Sequence, residues 1–173
     1  MDVFQAILTR RSIKKYKSDP VEKELIEKIV QAGICAPSGL NKQAPIVLAV
    51  TNKQVRDELV RLNAQKDPFS RVDPFYGAPV VLVVLADKSV PTYVYDGSLV
   101  MENMLLTAHG LGLGACWIHR AKETFESPEG KAILKKLGIE GEYEGIGNCI
   151  VGYPDGDLPA EKPRKENRVY YVD

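Results

Sequence analysis

Near the middle of the chain runs PVVLVVLA, residues 79–86, a stretch without a single polar side chain. Valine and leucine dominate it, and such a composition favours a β-strand. A strand that is apolar on both faces must be covered on both sides, so residues 79–86 are predicted to lie inside a covered sheet. A shorter run, residues 46–50, is predicted to be another strand.

Helical patterns surround these strands. Asp2 is expected to cap a short helix that ends at Thr9, and Asp19, Pro20 and Glu22 form a capping-box pattern that opens a second helix. The alternation of helices and short strands predicts an α/β sandwich, one sheet covered by helices. Further helices are predicted at 54–62, 95–113 and 127–138, and further strands at 115–118, 143–153 and 168–172.

Bulk composition restricts the function classes. The 173 residues suit one domain, 1–173, and 45% hydrophobic with 27% charged residues is typical of a globular protein. Lys+Arg and Asp+Glu are both 23, and this balance argues against a nucleic-acid partner. No apolar run approaches the ~20 residues that span a bilayer, and the N-terminus does not resemble a signal peptide. We therefore expect a cytoplasmic protein without a membrane partner.

Cysteine and histidine spacing gives no sign of a metal site. Cys35, Cys116 and Cys149 lie far apart and form no CxxC pair, so we expect reduced, mostly buried thiols. His109 lies in an apolar helical pattern and is interpreted as structural. No zinc-ligand spacing is present, and no bound metal is expected.

Cationic side chains are concentrated near both ends of the chain. The N-terminal cluster suits either a helix end whose cations offset the helix dipole or a phosphate site with forked guanidinium donors. The C-terminal cluster suits either a solvated tail or a second anion clamp that meets the first. The N-terminal cluster is Arg10, Arg11, Lys14, Lys15 and Lys17 around Ser12, and the C-terminal one is Lys162, Arg164 and Lys165.

Two further segments carry polar groups or glycines. Ser38, Asn41 and Gln43 share one loop, which suits a plain turn or hydrogen bonding to a planar polar ligand. Residues 110–115, GLGLGA, loosely match a dinucleotide-binding pattern. That pattern requires a strand, then glycines, then a helix, whereas here the predicted order is reversed, so we reject a dinucleotide site.

Six motifs, taken in order, resemble the nitroreductase family along nearly the whole chain. The resemblance implies an α+β fold, a nitroreductase-like three-layer sandwich with a mainly antiparallel sheet flanked by helices. It also implies an intertwined dimer with FMN at the interface. The motifs are Arg10-Arg-Ser-Ile-Lys14, Ala36-Pro-Ser-x-x-Asn-x-Gln43, Gly77-Ala-Pro79, Leu111-Gly-x-Gly-x-Cys-Trp-Ile118, Gly152-Tyr-Pro154 and Pro163-Arg-Lys165.

The resemblance also assigns roles to residues at the two basic ends. Arg10 and Ser12 are similar to the clamp on the FMN phosphate and ribityl chain, and Arg11 falls in the same region. Lys14 is similar to a lysine beside the flavin pyrimidine edge, where it would stabilise the reduced flavin. The clamp is completed by Lys162 with Arg164 or Lys165.

The resemblance places further residues around the flavin ring. Asn63 is similar to an asparagine that reads the pyrimidine edge. The segment Ile118, His119 and Arg120 falls where the family backbone passes flavin N5. A loop that resembles the one supplied by the other subunit contains Pro37, Ser38, Gly39, Asn41 and Gln43.

One segment departs from the family pattern. Many relatives carry Gly-Gly or Glu-Gly after the isoleucine, whereas this chain has His119-Arg120. We expect two bulky polar side chains near the reactive edge, where they would narrow the pocket or favour an anionic substrate. A lone histidine is more often structural, but His119 is also a candidate proton donor to the acceptor.

The function implied is an FMN-dependent oxidoreductase that works as a homodimer. Electrons would pass from NADH or NADPH to a small nitroaromatic, quinone or similar acceptor in a ping-pong cycle, with a C-terminal arm, 155–173, contributing to the cofactor site or the dimer. Two alternatives stay open: an FMN-binding or flavin-consuming protein without NAD(P)H turnover, and a non-enzymatic dimeric interaction module.

Overall fold

A computed structural model describes residues 1–65, 67–69 and 71–173. Within them, four strands form an antiparallel sheet in the order β1-β2-β4-β3. The strands are β1 (Pro45–Val50), β2 (Val80–Asp87), β3 (Gly114–Ile118) and β4 (Tyr143–Gly152).

The predicted central strand is confirmed. β2 pairs with β1 on one side and β4 on the other, and every residue from Val80 to Ala86 is buried. The sheet covered by helices is also confirmed. Its strands run antiparallel in each pairing, so the class is the α+β that the resemblance implied.

Helices cover both faces of the sheet, which gives three layers. Alternate β2 side chains point into two cores, because successive strand residues face opposite sides. Leu82 packs with the α2–α4 side, and Val81 packs with the side of α3, α5 and α6. The helices are α1 (Val3–Thr9), α2 (Lys23–Ile34), α3 (Lys53–Ala64), α4 (Tyr93–Gly110), α5 (Ala121–Glu126) and α6 (Pro128–Lys136).

The predicted cap at Asp2 is confirmed, and the helix predicted to begin at Ser127 is capped by that residue. Asp2 accepts a hydrogen bond from the Gln5 backbone N–H, and Ser127 accepts one from that of Gly130. The capping box at Asp19 and Pro20 is wrong: α2 begins at Lys23, and its N-cap Glu22 makes no side-chain cap. The Glu22 carboxylate accepts from the Tyr153 hydroxyl instead, so a tertiary contact replaces the local one.

Two other predictions need correction. The sequence did not indicate α5, and residues 168–172 form no strand among the described residues. These last residues are exposed, with Tyr171 88% accessible, and none of the described strands pairs with them. Cys116 and Cys149 are buried free thiols as expected, while Cys35 is exposed. No helix of the described part combines the length and apolarity needed to cross a bilayer.

Candidate functional site: a basic cleft between the chain ends

A cleft of about 560 Å³ lies where the two ends of the chain meet. We call it the basic cleft. Five residues of the predicted N-terminal cluster, Ser12 included, line it, and so do two residues of the C-terminal cluster. Its walls are residues 10–15, residues 154–157 and Pro159, Ala160, Glu161, Lys162 and Arg164.

Backbone hydrogen bonds bring these segments together. After α1, the chain runs beside β3, and the Ile13 N–H donates to the Ala115 carbonyl at 3.1 Å. Further on, the Lys17 N–H donates to the Tyr153 carbonyl at 2.9 Å, and the Asp155 N–H donates to the Lys15 carbonyl at 3.0 Å. Residues 10–17 are therefore clamped between the edge of the sheet and the start of the C-terminal arm.

Arg10 and Arg11 differ in how far their guanidinium groups are engaged. Arg11 donates to the carbonyls of Leu8 and Arg10 at 2.8 and 3.0 Å and pairs with Glu161 at 3.1 Å. Within the described ranges, Arg10 has only a long contact with Glu102, 3.8 Å, and its side chain is 26% exposed. Arg11 therefore stabilises the wall of the basic cleft, whereas the N–H donors of Arg10 stay available to an anion.

Lys14 also lines the basic cleft. Its ammonium group is 5.6 Å from the centroid of the Tyr76 ring, a cation–π contact. Burial raises the pKa of the Cys116 thiol, opposed by the Ser12 hydroxyl and by the charges of Lys14 and Arg10. Ser12, Lys14 and Arg10 therefore act on one small region.

The loop predicted to hydrogen-bond a planar ligand lies elsewhere on this chain. It lines a separate depression of about 320 Å³ and not the basic cleft. The Gly39 N–H donates to Asp96 at 3.1 Å, and the Gln43 N–H donates to the Ser38 hydroxyl at 3.0 Å, which fixes the loop. Pro37, Ser38 and Gln43 line that depression, and Asn41 and Gln43 adopt positive φ.

Asn63 does not line the basic cleft. Its side chain is fully buried, and its amide is engaged at both ends, donating to the His119 carbonyl at 2.8 Å and accepting from Arg120 at 3.2 Å. This geometry does not support the predicted contact with a flavin edge, because the amide is used inside the chain.

The turn after β3 also differs from expectation. Ile118 is buried and the His119 side chain is exposed. Arg120, expected near a reactive edge, instead turns inward with a side chain 12% exposed and pairs with Asp67 at 3.4 Å. Lys165, at the other end of the chain, is exposed and is not part of the cleft wall.

The sequence reasoning missed three contributors near the site. Asp67 holds Arg71 through two hydrogen bonds of 2.6 and 2.9 Å, and these bonds keep the pKa of Asp67 well below its usual range. Arg71 donates to the Tyr76 hydroxyl at 2.9 Å. Asn148 in β4 donates to the Ile118 carbonyl at 3.3 Å. A buried asparagine in an apolar strand, such as Asn148, is the one signal that could have been noticed.

Within the described ranges, acidic, cysteine and histidine side chains form no group able to bind a metal ion. The helix–glycine–strand order at residues 110–115 is confirmed, since α4 ends at Gly110 and β3 begins at Gly114. A dinucleotide-binding glycine loop is thereby excluded at this position.

Comparisons with known proteins agree with this architecture. A putative NADH dehydrogenase/NAD(P)H nitroreductase of Methanothermobacter thermautotrophicus is 37% identical over 68% of this chain, which spans 60% of that relative. An NADPH-flavin oxidoreductase of Vibrio harveyi is 27% identical over 94% of this chain and 70% of its own length. A nitroreductase with bound FMN from Bacteroides fragilis superposes over the whole of both chains, with a TM-score of 0.89 and 27% identity.

The family model of the nitroreductases matches residues 7–153. That range contains the N-terminal wall of the basic cleft, the whole sheet and the turn after β3. The chain therefore belongs to the nitroreductase family.

Proposed function

We propose that the protein is an FMN-dependent oxidoreductase that takes electrons from NADH or NADPH and passes them to a small nitroaromatic, quinone or similar acceptor. The observation that carries the proposal is the basic cleft, in which cations from opposite ends of the chain line one volume. Relatives named as NADPH-flavin oxidoreductase and FMN reductase, and FMN-bound nitroreductases of the same fold, support it.

The donor set of the cleft fits FMN. A phosphate requires charge-assisted donors, which Arg10, Lys162 and Arg164 provide, together with a neutral donor such as the Ser12 hydroxyl. The nearby carboxylates of Asp155 and Glu161 are paired with Lys15 and Arg11 at 2.7 and 3.1 Å. Six cationic side chains line the cleft against three carboxylates, those of Asp155, Asp157 and Glu161, so the walls keep a net positive charge.

FMN, when bound, supplies the hydride and electron chemistry, and the protein's part is to orient and tune it. Lys14 brings a positive charge to the wall of the basic cleft, close to the Tyr76 ring. There it would stabilise negative charge on the reduced flavin ring. The exposed His119 side chain stays a candidate proton donor to the acceptor. An acceptor needs only a flat slot, so no acid–base triad is required.

Lys14→Ala should keep FMN bound but lower its reduction potential. Loss of one positive charge near the ring, worth roughly 1–3 kcal/mol at an intermediate dielectric, corresponds to roughly 20–60 mV for a two-electron couple. Dye-equilibration potentiometry measures this shift. The control is Lys17→Ala, which removes an exposed lysine of the same segment outside the cleft wall. Equal potentials in parent and Lys14→Ala would remove Lys14 from the site.

We further propose that a second copy covers α1 and that its 37–43 loop reaches the cofactor of the first. Large apolar side chains on α1 are exposed, with Val3 74% and Phe4 68% accessible, and Ile7 and Leu8 are half exposed. A seven-residue helix presenting such a stripe marks an interface. The arm 155–173, extended beside the cleft, would contribute to the same dimer.

Phe4→Glu should weaken this dimer. Aromatic anchors at the centre of an interface contribute about 2 kcal/mol or more, so the dimer dissociation constant should rise about 30-fold or more. Sedimentation velocity over a concentration series measures it, with Leu137→Glu, an exposed apolar residue after α6, as the control. A parent chain that sediments as a monomer would contradict the dimer.

The proposal as a whole is tested by the visible spectrum of the purified protein and by anaerobic titration with NADH and with NADPH. A yellow protein whose flavin band bleaches with either nicotinamide supports the oxidoreductase. Flavin that does not bleach supports the FMN-binding alternative, and a colourless protein that cannot be loaded with FMN supports the interaction module.

A further inference from the structure

Two buried amides hold the turn that joins β3 to α5. Asn63, in α3, donates from Nδ2 to the His119 carbonyl at 2.8 Å. Asn148, in β4, donates from Nδ2 to the Ile118 carbonyl at 3.3 Å and lies 3.5 Å from that of His119. Both asparagines are at most 1% exposed. Two separate elements of the fold thus converge on two consecutive carbonyls.

The pinned carbonyls fix where the adjacent N–H groups point. In a trans peptide the N–H points opposite to the carbonyl of the same unit. Because the carbonyls of Ile118 and His119 face the amides, the N–H groups of His119 and Arg120 face away from them. Neither N–H donates to another group of the described chain. The turn therefore presents two adjacent donors outward.

Arg120 fixes the orientation of the Asn63 amide. Its guanidinium donates to Asn63 Oδ1 at 3.2 Å and pairs with Asp67 at 3.4 Å, so Nδ2 is the end left facing His119. Arg120 itself has a φ of 71°, in the left-handed region that non-glycine residues seldom adopt. Such a conformation persists only where the surroundings impose it.

Among the described residues, the Asn148 amide is engaged through its nitrogen but not through its oxygen. Its Oδ1 is buried and has no hydrogen-bond partner among the described residues. Burying an unpaired acceptor is unfavourable, and an apolar side chain of the same size would avoid that cost. The bond from its Nδ2 to the turn is what accounts for the amide at this position.

We propose that Asn63 and Asn148 are positioning residues of the flavin site, which aim the His119 and Arg120 N–H groups at the electron-accepting edge of the ring. The proposal rests on the proposed function. Neither asparagine touches the cofactor, and both act through the backbone of the turn. Fixed donors aimed at an edge that gains negative charge favour its reduction without reorganisation at the moment of transfer.

The test uses isosteric variants, Asn63→Asp and Asn148→Asp, in the FMN-loaded protein. Each keeps the side-chain shape but sets a carboxylate oxygen against a carbonyl, so the turn should rotate. We expect the rate of flavin reduction by the nicotinamide, per bound flavin, to fall about tenfold or more. The FMN dissociation constant should change less than about threefold, because the phosphate contacts remain.

Asn103→Asp is the matched control. Asn103 Nδ2 donates to the Ala32 carbonyl at 3.0 Å, a bond of the same kind between α4 and α2. It should lose stability like the others but keep the parental reduction rate. Parental rates in Asn63→Asp and Asn148→Asp, in a parent that bleaches with NAD(P)H, would overturn the positioning role alone. A parent that never bleaches would instead contradict the proposed function.

A measurement on the parent decides the matter if the variants do not fold. The His119 and Arg120 amides should exchange hydrogen freely in the flavin-free protein and become at least tenfold slower with FMN bound. The amide of Gly141, in an exposed loop, serves as the internal reference. Unchanged protection of both turn amides on FMN binding would overturn the proposal.

Discussion

Arg10→Ala is expected to weaken FMN binding by roughly 30- to 700-fold, because truncating one partner of a buried charge pair costs about 2–4 kcal/mol. The Arg10 guanidinium is held only weakly within the described chain, by a contact of 3.8 Å to Glu102. Arg11 cannot replace it, since its donors are used by two carbonyls and Glu161. The loss should therefore appear as cofactor affinity and not as unfolding.

Fluorescence titration of the flavin-free protein with FMN measures this at a fixed salt concentration, since phosphate contacts are screened. Arg61→Ala is a closely matched control. Arg61 is also a partly exposed arginine whose recorded ion pair, with Glu58, is 3.8 Å long, but it lies on α3 outside the cleft. If Arg10→Ala binds FMN as tightly as Arg61→Ala does, the phosphate lies elsewhere.

The sequence predicts best where one local pattern determines the structure. The 79–86 run can satisfy its apolar faces only inside a sheet, and it does so as β2. The caps at Asp2 and Ser127 depend on neighbours three residues away, and both form. Asp19 does not cap α2, which begins only at Lys23. The Glu22 carboxylate, expected to complete the capping box, accepts a hydrogen bond from Tyr153, which lies far along the chain.

The sequence was enough to predict which cationic residues form the site, but not how their side chains are arranged. Arg10 and Arg164 line one cleft, although 154 positions separate them. Their meeting could be predicted because the order of the family motifs indicated it. The inward rotation of Arg120 depends on Asp67 and Asn63, which lie in no shared motif with it. A sequence shows which side chains are charged, whereas the tertiary structure determines which partner neutralises each charge.

Gly145→Ala is expected to destabilise the fold by about 3 kcal/mol, at the upper end of typical overpacking. A Cβ at Gly145 would lie 2.3 Å from the Ala121 carbonyl carbon and oxygen, and 2.7 Å from the Lys122 nitrogen. These are backbone atoms, so no side-chain rotation relieves the contact. The β2–β4 register shifts at this point, where Val84 pairs with Gly147 and Leu85 with Gly145. The Gly145 backbone lies directly against the start of α5.

Thermal unfolding should show the loss as a melting temperature lower by roughly 6–12 °C. Gly110→Ala is the control, because a Cβ there meets open space at the end of α4, and it should be neutral or stabilising by about 0.5 kcal/mol. Since α5 begins directly after Arg120, the Gly145 variant should also slow flavin reduction in the molecules that stay folded. A melting temperature equal to the parent's would mean that α5 can retreat from β4 at little cost, and the turn would then be less firmly held than its hydrogen bonds indicate.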